Sequence, residues 1–138
     1  MSQRTFTIIK PDSVEKGNAG KILALLEEKG FRILALKKVE LSSRQAENFY
    51  GVHRQRPFFA DLVRYMTSGP VFVAAIERDD AVPHLRKTMG ATDPAKAEEG
   101  TVRKLFGESI ERNAIHGSDS PENAEIEIGF FFAGCELT

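Results

Sequence analysis

The sequence predicts an α/β or α+β domain in which a small sheet is covered by helices. Segments with strand periodicity alternate with segments of helical periodicity along the chain. Its 138 residues suit one hydrophobic core and leave little room for two, so residues 1–138 are read as a single domain. The balance of 41% hydrophobic and 28% charged residues is that of an ordinary globular protein, and repeats, low-complexity tracts and long like-charge blocks are missing.

The elements follow in order. RTFTIIK (4–10) alternates as a strand with Phe6 and Ile8 on one face, and Pro11-Asp12 ends it, because proline cannot donate to a ladder. GKILALLEEKGF, from Gly20, is helical, with Ile22, Leu25 and Leu26 as its apolar stripe and Gly30 as a C′ residue. FRILALKKVEL (31–41) is a second strand. Ser42 and Gln45 then match a capping box, opening a helix to about Tyr50. FFADLVRYM is a further short helix, VFVAAIE a largely buried third strand, and Ala81–Met89 a helix. The glycine-bearing stretch 90–109 is read mostly as loop. Ser120 as N-cap and Pro121 at N1 open a last helix, running to about Phe132. A fourth strand belongs either to 110–117 or to the C-terminal residues.

Charge excludes several classes. The net charge is −1 and the basic residues are scattered, whereas a general nucleic-acid binder carries a basic stripe. FTII and VFVAAI do not supply the stacking aromatics of an RNA-binding sheet. The lone Cys135 forms no internal disulfide, the start lacks a signal peptide's apolar core, and no apolar run approaches the ~20 residues that span a bilayer, so a cytoplasmic address is expected.

The chemistry concentrates in NAIHGSDS (113–120). A histidine nucleophile needs a neutral imidazole with one ring nitrogen facing substrate and the other held by a partner. Asn113, Ser118, Asp119 and Ser120 are nearby candidates, and Gly117 would let the backbone turn and approach a ligand without a Cβ in the way. An ordinary turn with a solvated histidine is the competing reading. Glu127 sits at the edge of the last helix's apolar arc, where a buried carboxylate needs a partner such as His116 or Ser118; a solvent-boundary glutamate is the alternative. The G-x-S-x-G elbow, paired zinc-ligand spacing and the G-x-x-x-x-G-K-[ST] loop are all missing, and His53 and His84 are read as surface histidines. Lys10, Arg86 and Arg103 are candidate cations for a phosphate.

Taken together, TIIKPD (7–12), FY followed by RPFF (49–59), SGPV (68–71), MGATDPA (89–95), GTVR (100–103) and NAIHGSDS closely resemble the nucleoside diphosphate kinases, nearly end to end and in family order. The resemblance implies a ferredoxin-like sandwich with a small antiparallel sheet, its fourth strand lying near 115–134 and its last strand around 129–134. It implies that His116 is a phosphohistidine nucleophile relaying the γ-phosphoryl of a nucleoside triphosphate, typically ATP, to a nucleoside diphosphate by a ping-pong route. Glu127 and Ser118 would then orient the imidazole. Lys10, Tyr50, Arg86, Thr92, Arg103 and Asn113 match groups around the phosphates and ribose, and Phe58, with Leu62 and Ile110, matches the apolar platform for the base. Lys10 and Tyr50 also count among the expected catalytic groups. The histidine's presence speaks against a non-catalytic module on the same fold.

Magnesium is implied as a companion of the nucleotide, held mainly through its phosphates and not by protein side chains. Nucleoside di- and triphosphates are the implied partners, with neither membrane nor nucleic acid required. A homo-oligomer is also implied, a tetramer or hexamer built from dimers. Asn18 and Ala19 stand where relatives carry larger apolar residues, on a surface through which family members associate. The chain ends at Thr138 without the longer tail of animal members, which favours a bacterial-type assembly.

Overall fold

A computed structural model describes residues 2–138. In chain order the elements are β1 (Ser2–Ile9), α1 (Pro11–Glu15), α2 (Ala19–Glu28), β2 (Arg32–Val39), α3 (Ser43–Phe49), α4 (Phe59–Met66), β3 (Val71–Asp79), α5 (Ala81–Met89), α6 (Val102–Phe106), β4 (Ile115–Gly117) and α7 (Pro121–Phe131). Short 3₁₀ turns occupy Gly51–His53, Pro94–Lys96 and Gly134–Glu136. The strands form one antiparallel sheet in the order β2-β3-β1-β4.

Both faces of this sheet are covered, which explains the near-continuous apolar run of β3. Phe6, Ile8, Val71, Val73 and Ala75 meet Ala46 of α3, Met66 of α4 and Ile128 of α7 on one face. Ile9, Ala74 and Ile76 meet Ile22 and Leu26 of α2, Leu85 and Met89 of α5 and Val102 of α6 on the other. The ferredoxin-like sandwich of small antiparallel sheet and helices is therefore correct.

Local signals explain most boundaries. The capping box is formed: Gln45 N donates to Ser42 Oγ at 3.1 Å, and Ser42 N donates to Gln45 Oε1 at 2.9 Å. Gly30 takes φ 88° just past the end of α2, the C′ conformation glycine favours. Ser120 Oγ accepts from Asn123 N at 3.1 Å, with Pro121 at N1 of α7.

Two expectations gain detail and one is corrected. Pro11 ends β1 but also starts α1, since proline suits the first helical position as well as it breaks a ladder. The stretch 90–109 contains α6, opened by Thr101 Oγ1 accepting from Lys104 N at 3.3 Å and anchored by fully buried Val102. No strand lies at 129–134. Helix α7 continues to Phe131, because Ala124, Ile128 and the partly buried Phe131 turn inward at helical spacing while Ile126 and Phe130 stay 69% and 39% exposed. The fourth strand is β4, within the alternative 110–117 range, pairing with β1 through Thr7–Gly117, Ile8–His116 and Ile9–Ile115.

Ser42→Ala removes one side of the capping box and should destabilise the protein by about 1 kcal/mol, read as a lower urea midpoint with unchanged m-value. An unchanged midpoint would mean that tertiary contacts alone hold the start of α3.

Candidate active site

The site is assembled where the edge strand β4 meets α7. Ahead of β4, Ala114 adopts φ 76° and Ile115 N donates to Asn113 O at 2.9 Å, a three-residue γ-turn. For a non-glycine residue this conformation costs about 1–3 kcal/mol and persists only where the surroundings enforce it. They do: Lys10 N donates to Ala114 O at 2.9 Å, and Ser118 N donates to Phe6 O at 3.1 Å, at either end of β4. Thr7 Oγ1 donates to His116 O at 2.7 Å. The histidine's backbone is thus pinned to β1.

Its ring is held as firmly. His116 Nε2 lies 2.9 Å from Glu127 Oε1, and Ser118 Oγ donates to the same oxygen at 2.8 Å. A carboxylate only accepts, so Nε2 carries the proton and, in the neutral ring, Nδ1 presents a lone pair. The His116 and Glu127 side chains are 22% and 20% exposed, open enough to be reached yet mostly shielded. The rings of Phe6, Phe49 and Tyr50 surround the imidazole at centroid distances of 6.2, 5.6 and 6.2 Å. Tyr50 Oη is buried without a partner. Burial, then the charge of Glu127, pushes its pKa up, so it remains a neutral donor with an unspent proton.

The cations converge on the same region. Lys10 Nζ donates to Asn113 Oδ1 at 2.8 Å, and Asn113 Nδ2 donates to Thr92 O at 3.1 Å. Arg103 spans two segments, donating from Nη1 to Gly90 O at 3.0 Å and from Nη2 to Ile115 O at 2.9 Å, while its buried Nε has no partner. Burial, then the Arg103 charge, pushes the Lys10 pKa down to about 8, partly offset by Asp12. Burial, then Arg86 in the last turn of α5, pushes Arg103 down to about 10. Among the described residues, neither Lys10, Arg86 nor Arg103 is ion-paired with a carboxylate. Like charges held together in this way form a site for a polyanion.

Gly90 is required by close packing: it takes φ 88°, and a Cβ there would sit 2.5 Å from Thr101 Oγ1. Gly117 has a different role from the ligand-facing turn expected. It sits inside β4, and a Cβ there would meet Leu85 Cδ2 at 2.8 Å and Met89 Sδ at 2.9 Å, so its absence lets α5 pack under the strand.

The apolar group stands apart. Phe58 is 47% exposed at the start of α4, Leu62 follows one turn later, and Ile110 is 59% exposed in the preceding loop of β4. Arg112 ties that loop to α4, its guanidinium 5.4 Å from the Tyr65 ring centroid, and Tyr65 Oη in turn donates to Asp12. Among the described residues no hydrogen bond or ring contact links Phe58, Leu62 or Ile110 to His116. His53 is not a free surface histidine, since its ring packs 5.4 Å from Phe58. The contributions of Phe49, Phe6 and Asp12 to the site had no motif chemistry of their own. Among the described residues no group of three His, Cys, Asp or Glu side chains could hold a metal ion.

Because the Lys10 pKa lies near 8 in the folded protein and at the ordinary lysine value of 10.5 in the unfolded chain, stability should rise with pH between those values, where the unfolded chain binds the extra proton. A bound polyanion favours the charged lysine. Tripolyphosphate binding at pH 9 should therefore take up a proton, and binding at pH 7 should take up none from Lys10. Calorimetry in buffers of different ionisation enthalpy measures this, and equal proton uptake in Lys10→Met would assign it elsewhere.

The nucleoside diphosphate kinase family model matches residues 3–137. A nucleoside diphosphate kinase of Granulibacter bethesdensis is 59% identical over 135 residues, covering 98% of this chain and 96% of that protein. One from Campylobacter jejuni is 58% identical, covering 98% of each. Among solved structures, the Aquifex aeolicus nucleoside diphosphate kinase superposes with TM-score 0.97 at 45% identity, covering all of both chains. The halophilic enzyme of Halobacterium salinarum, in complex with CDP, gives 0.95 at 40% identity and covers 100% of this chain and 92% of that one. With a family match over nearly its whole length and relatives well above half identical, the chain belongs to the nucleoside diphosphate kinase family.

Proposed function

We propose that this protein transfers the γ-phosphoryl group of a nucleoside triphosphate to a nucleoside diphosphate through a phosphohistidine at His116. The observation that carries the proposal is the Nε2 contact of His116 with Glu127, supported by Ser118. It holds one ring nitrogen as a donor and leaves the other as the nucleophile. Nδ1 attacks the γ-phosphorus, the bond to the β–γ bridging oxygen breaks, and the diphosphate leaves. A second nucleoside diphosphate then attacks the phosphorus through a terminal phosphate oxygen, the P–N bond breaks, and His116 is regenerated. One phosphoanhydride bond is traded for another.

Such a reaction asks mainly for positioning and charge neutralisation. Lys10, Arg86 and Arg103 would share the phosphate charge, with Tyr50 donating to the transferring group and Thr92 and Asn113 meeting phosphate or ribose oxygens. A magnesium ion arriving on the nucleotide would neutralise part of that charge; a site of three cations and no carboxylate cage fits a metal carried by its substrate. Phe58, with Leu62 and Ile110, would stack on the base. A phenyl face tolerates every base, so broad nucleotide acceptance follows.

The same proposal includes a single domain, a cytoplasmic address and a homo-oligomer, a tetramer or hexamer built from dimers. In support, β2 is an edge strand with Leu36 42% exposed, and no helix among the described residues is long and apolar enough to cross a membrane.

Brief incubation with γ-labelled ATP should give an acid-labile, base-stable label that His116→Ala abolishes, and steady-state kinetics should give parallel double-reciprocal lines. Label retained by His116→Ala, or intersecting lines, would refute the relay. Phe58→Ala should weaken ATP and GTP binding alike, by ~1–3 kcal/mol. A loss confined to one base would replace the platform with specific base readout.

A further inference from the structure

We infer that Phe49 is a positioning residue for the phosphoryl relay, holding both ends of the hydrogen bond between His116 and Glu127. The inference rests on the proposed role of His116. A hydrogen bond at Nε2 restrains the imidazole through one atom, and its tolerance in length and angle still lets the two side-chain torsions shift. Where Nδ1 points then depends on what packs against the ring. Phe6 does so, but it is fully buried and part of the main core. Tyr50 does so too, with a hydroxyl of its own to place. Phe49 is half-buried and offers only its ring.

That ring stands nearly perpendicular to the imidazole, at 77° and 5.6 Å between centroids. It also meets Tyr50 at 4.9 Å, and Phe130 and Phe131 of α7 at 5.4 and 5.5 Å. Phe130 and Phe131 lie three and four residues after Glu127, one helical turn along α7. One side chain at the end of α3 thus braces the nucleophile and the helix that carries its carboxylate partner. It also precedes Tyr50 in the chain and touches its ring, so the Tyr50 ring beside the histidine depends on the same anchor. No hydrogen bond could substitute for it, because an aromatic edge or face constrains a ring plane where a polar contact constrains one atom.

The experiment compares Phe49→Leu, which keeps apolar bulk without a flat ring, with Phe49→Tyr, which restores the ring. A displacement of ~1 Å costs up to ~10²-fold in rate, so a partial loosening in Phe49→Leu should slow single-turnover phosphorylation of His116 by about 10-fold. Nucleotide affinity should stay within about twofold, since the ring contacts of Phe49 are with His116, Tyr50, Phe6, Phe130 and Phe131 and not with Phe58 of the base platform, and Phe49→Tyr should recover most of the rate. Adding Glu127→Gln separates positioning from general support: if Phe49 acts through that hydrogen bond, the combined loss falls short of the product of the single losses. Should Phe49→Leu fail to fold, Phe49→Met carries the same expectations. Wild-type phosphorylation rate in the folded variant, single losses that multiply, or a loss confined to nucleotide affinity would each overturn the inference. Absence of label on His116 in the unaltered protein would instead overturn the relay on which it rests.

Discussion

The hydrogen bond from His116 Nε2 to Glu127 Oε1 joins an edge strand to a helix that begins only four residues after β4 ends, and the surrounding structure is arranged to make it possible. The register of β4 against β1 sets the histidine's backbone, and the Ser120 cap with Pro121 sets where α7 begins. From that start, Glu127 falls on the second turn of the helix with its side chain four-fifths buried. A carboxylate so placed is costly unless its oxygens are used. Two donors on one oxygen, Nε2 and Ser118 Oγ, supply the use, and a charge-assisted bond of this kind contributes about 1.5–3 kcal/mol. The stabilising contact is also the one that selects the tautomer, so here stability and chemistry coincide.

Elsewhere they oppose one another. Lys10 and Arg103 are held among like charges and away from water, as the lowering of both pKa values reports. Ala114 is held in a conformation glycine would adopt with less strain. Nothing in the free protein requires these features. They are sustained by the buried sheet, by backbone carbonyls that accept from Arg103, and by the Asn113 amide that bridges Lys10 to the Thr92 loop. A polyphosphate would convert the repulsion into attraction. Natural proteins commonly give up some stability at a site in this way.

The sequence was most legible where a local signal acts alone. The Ser42 and Ser120 caps announce their helices directly, and Ala81–Met89 spans the residues its periodicity predicts. The five-residue α1 and α6 were hidden because a single turn has no periodicity to detect. In residues 126–132, IEIGFFF, apolar residues at i, i+2 and i, i+4 coexist, and only packing decides that Ile128 turns inward and Ile126 outward. The site residues were legible as family motifs, yet their physical tasks were not always. Gly117 makes room for Leu85 and Met89, a tertiary reason invisible in NAIHGSDS. Phe49, beside a recognised tyrosine, showed no polar atom that would draw attention to its role.

Placing the nucleophile on a sheet edge creates a second problem, since an edge leaves backbone groups without strand partners. Here a cation of the site addresses it. Arg103 covers the edge of β4 by donating to Ile115 O, next to His116, and its other terminal nitrogen reaches Gly90 O in the loop that leads to Thr92. The guanidinium therefore covers the edge, ties the Gly90 loop to the strand and brings positive charge next to the backbone of His116. A lysine could supply the charge but lacks the planar fork that reaches two carbonyls at once. Edge protection and the placing of a positive charge are in this way tasks of one side chain, on a strand only three residues long.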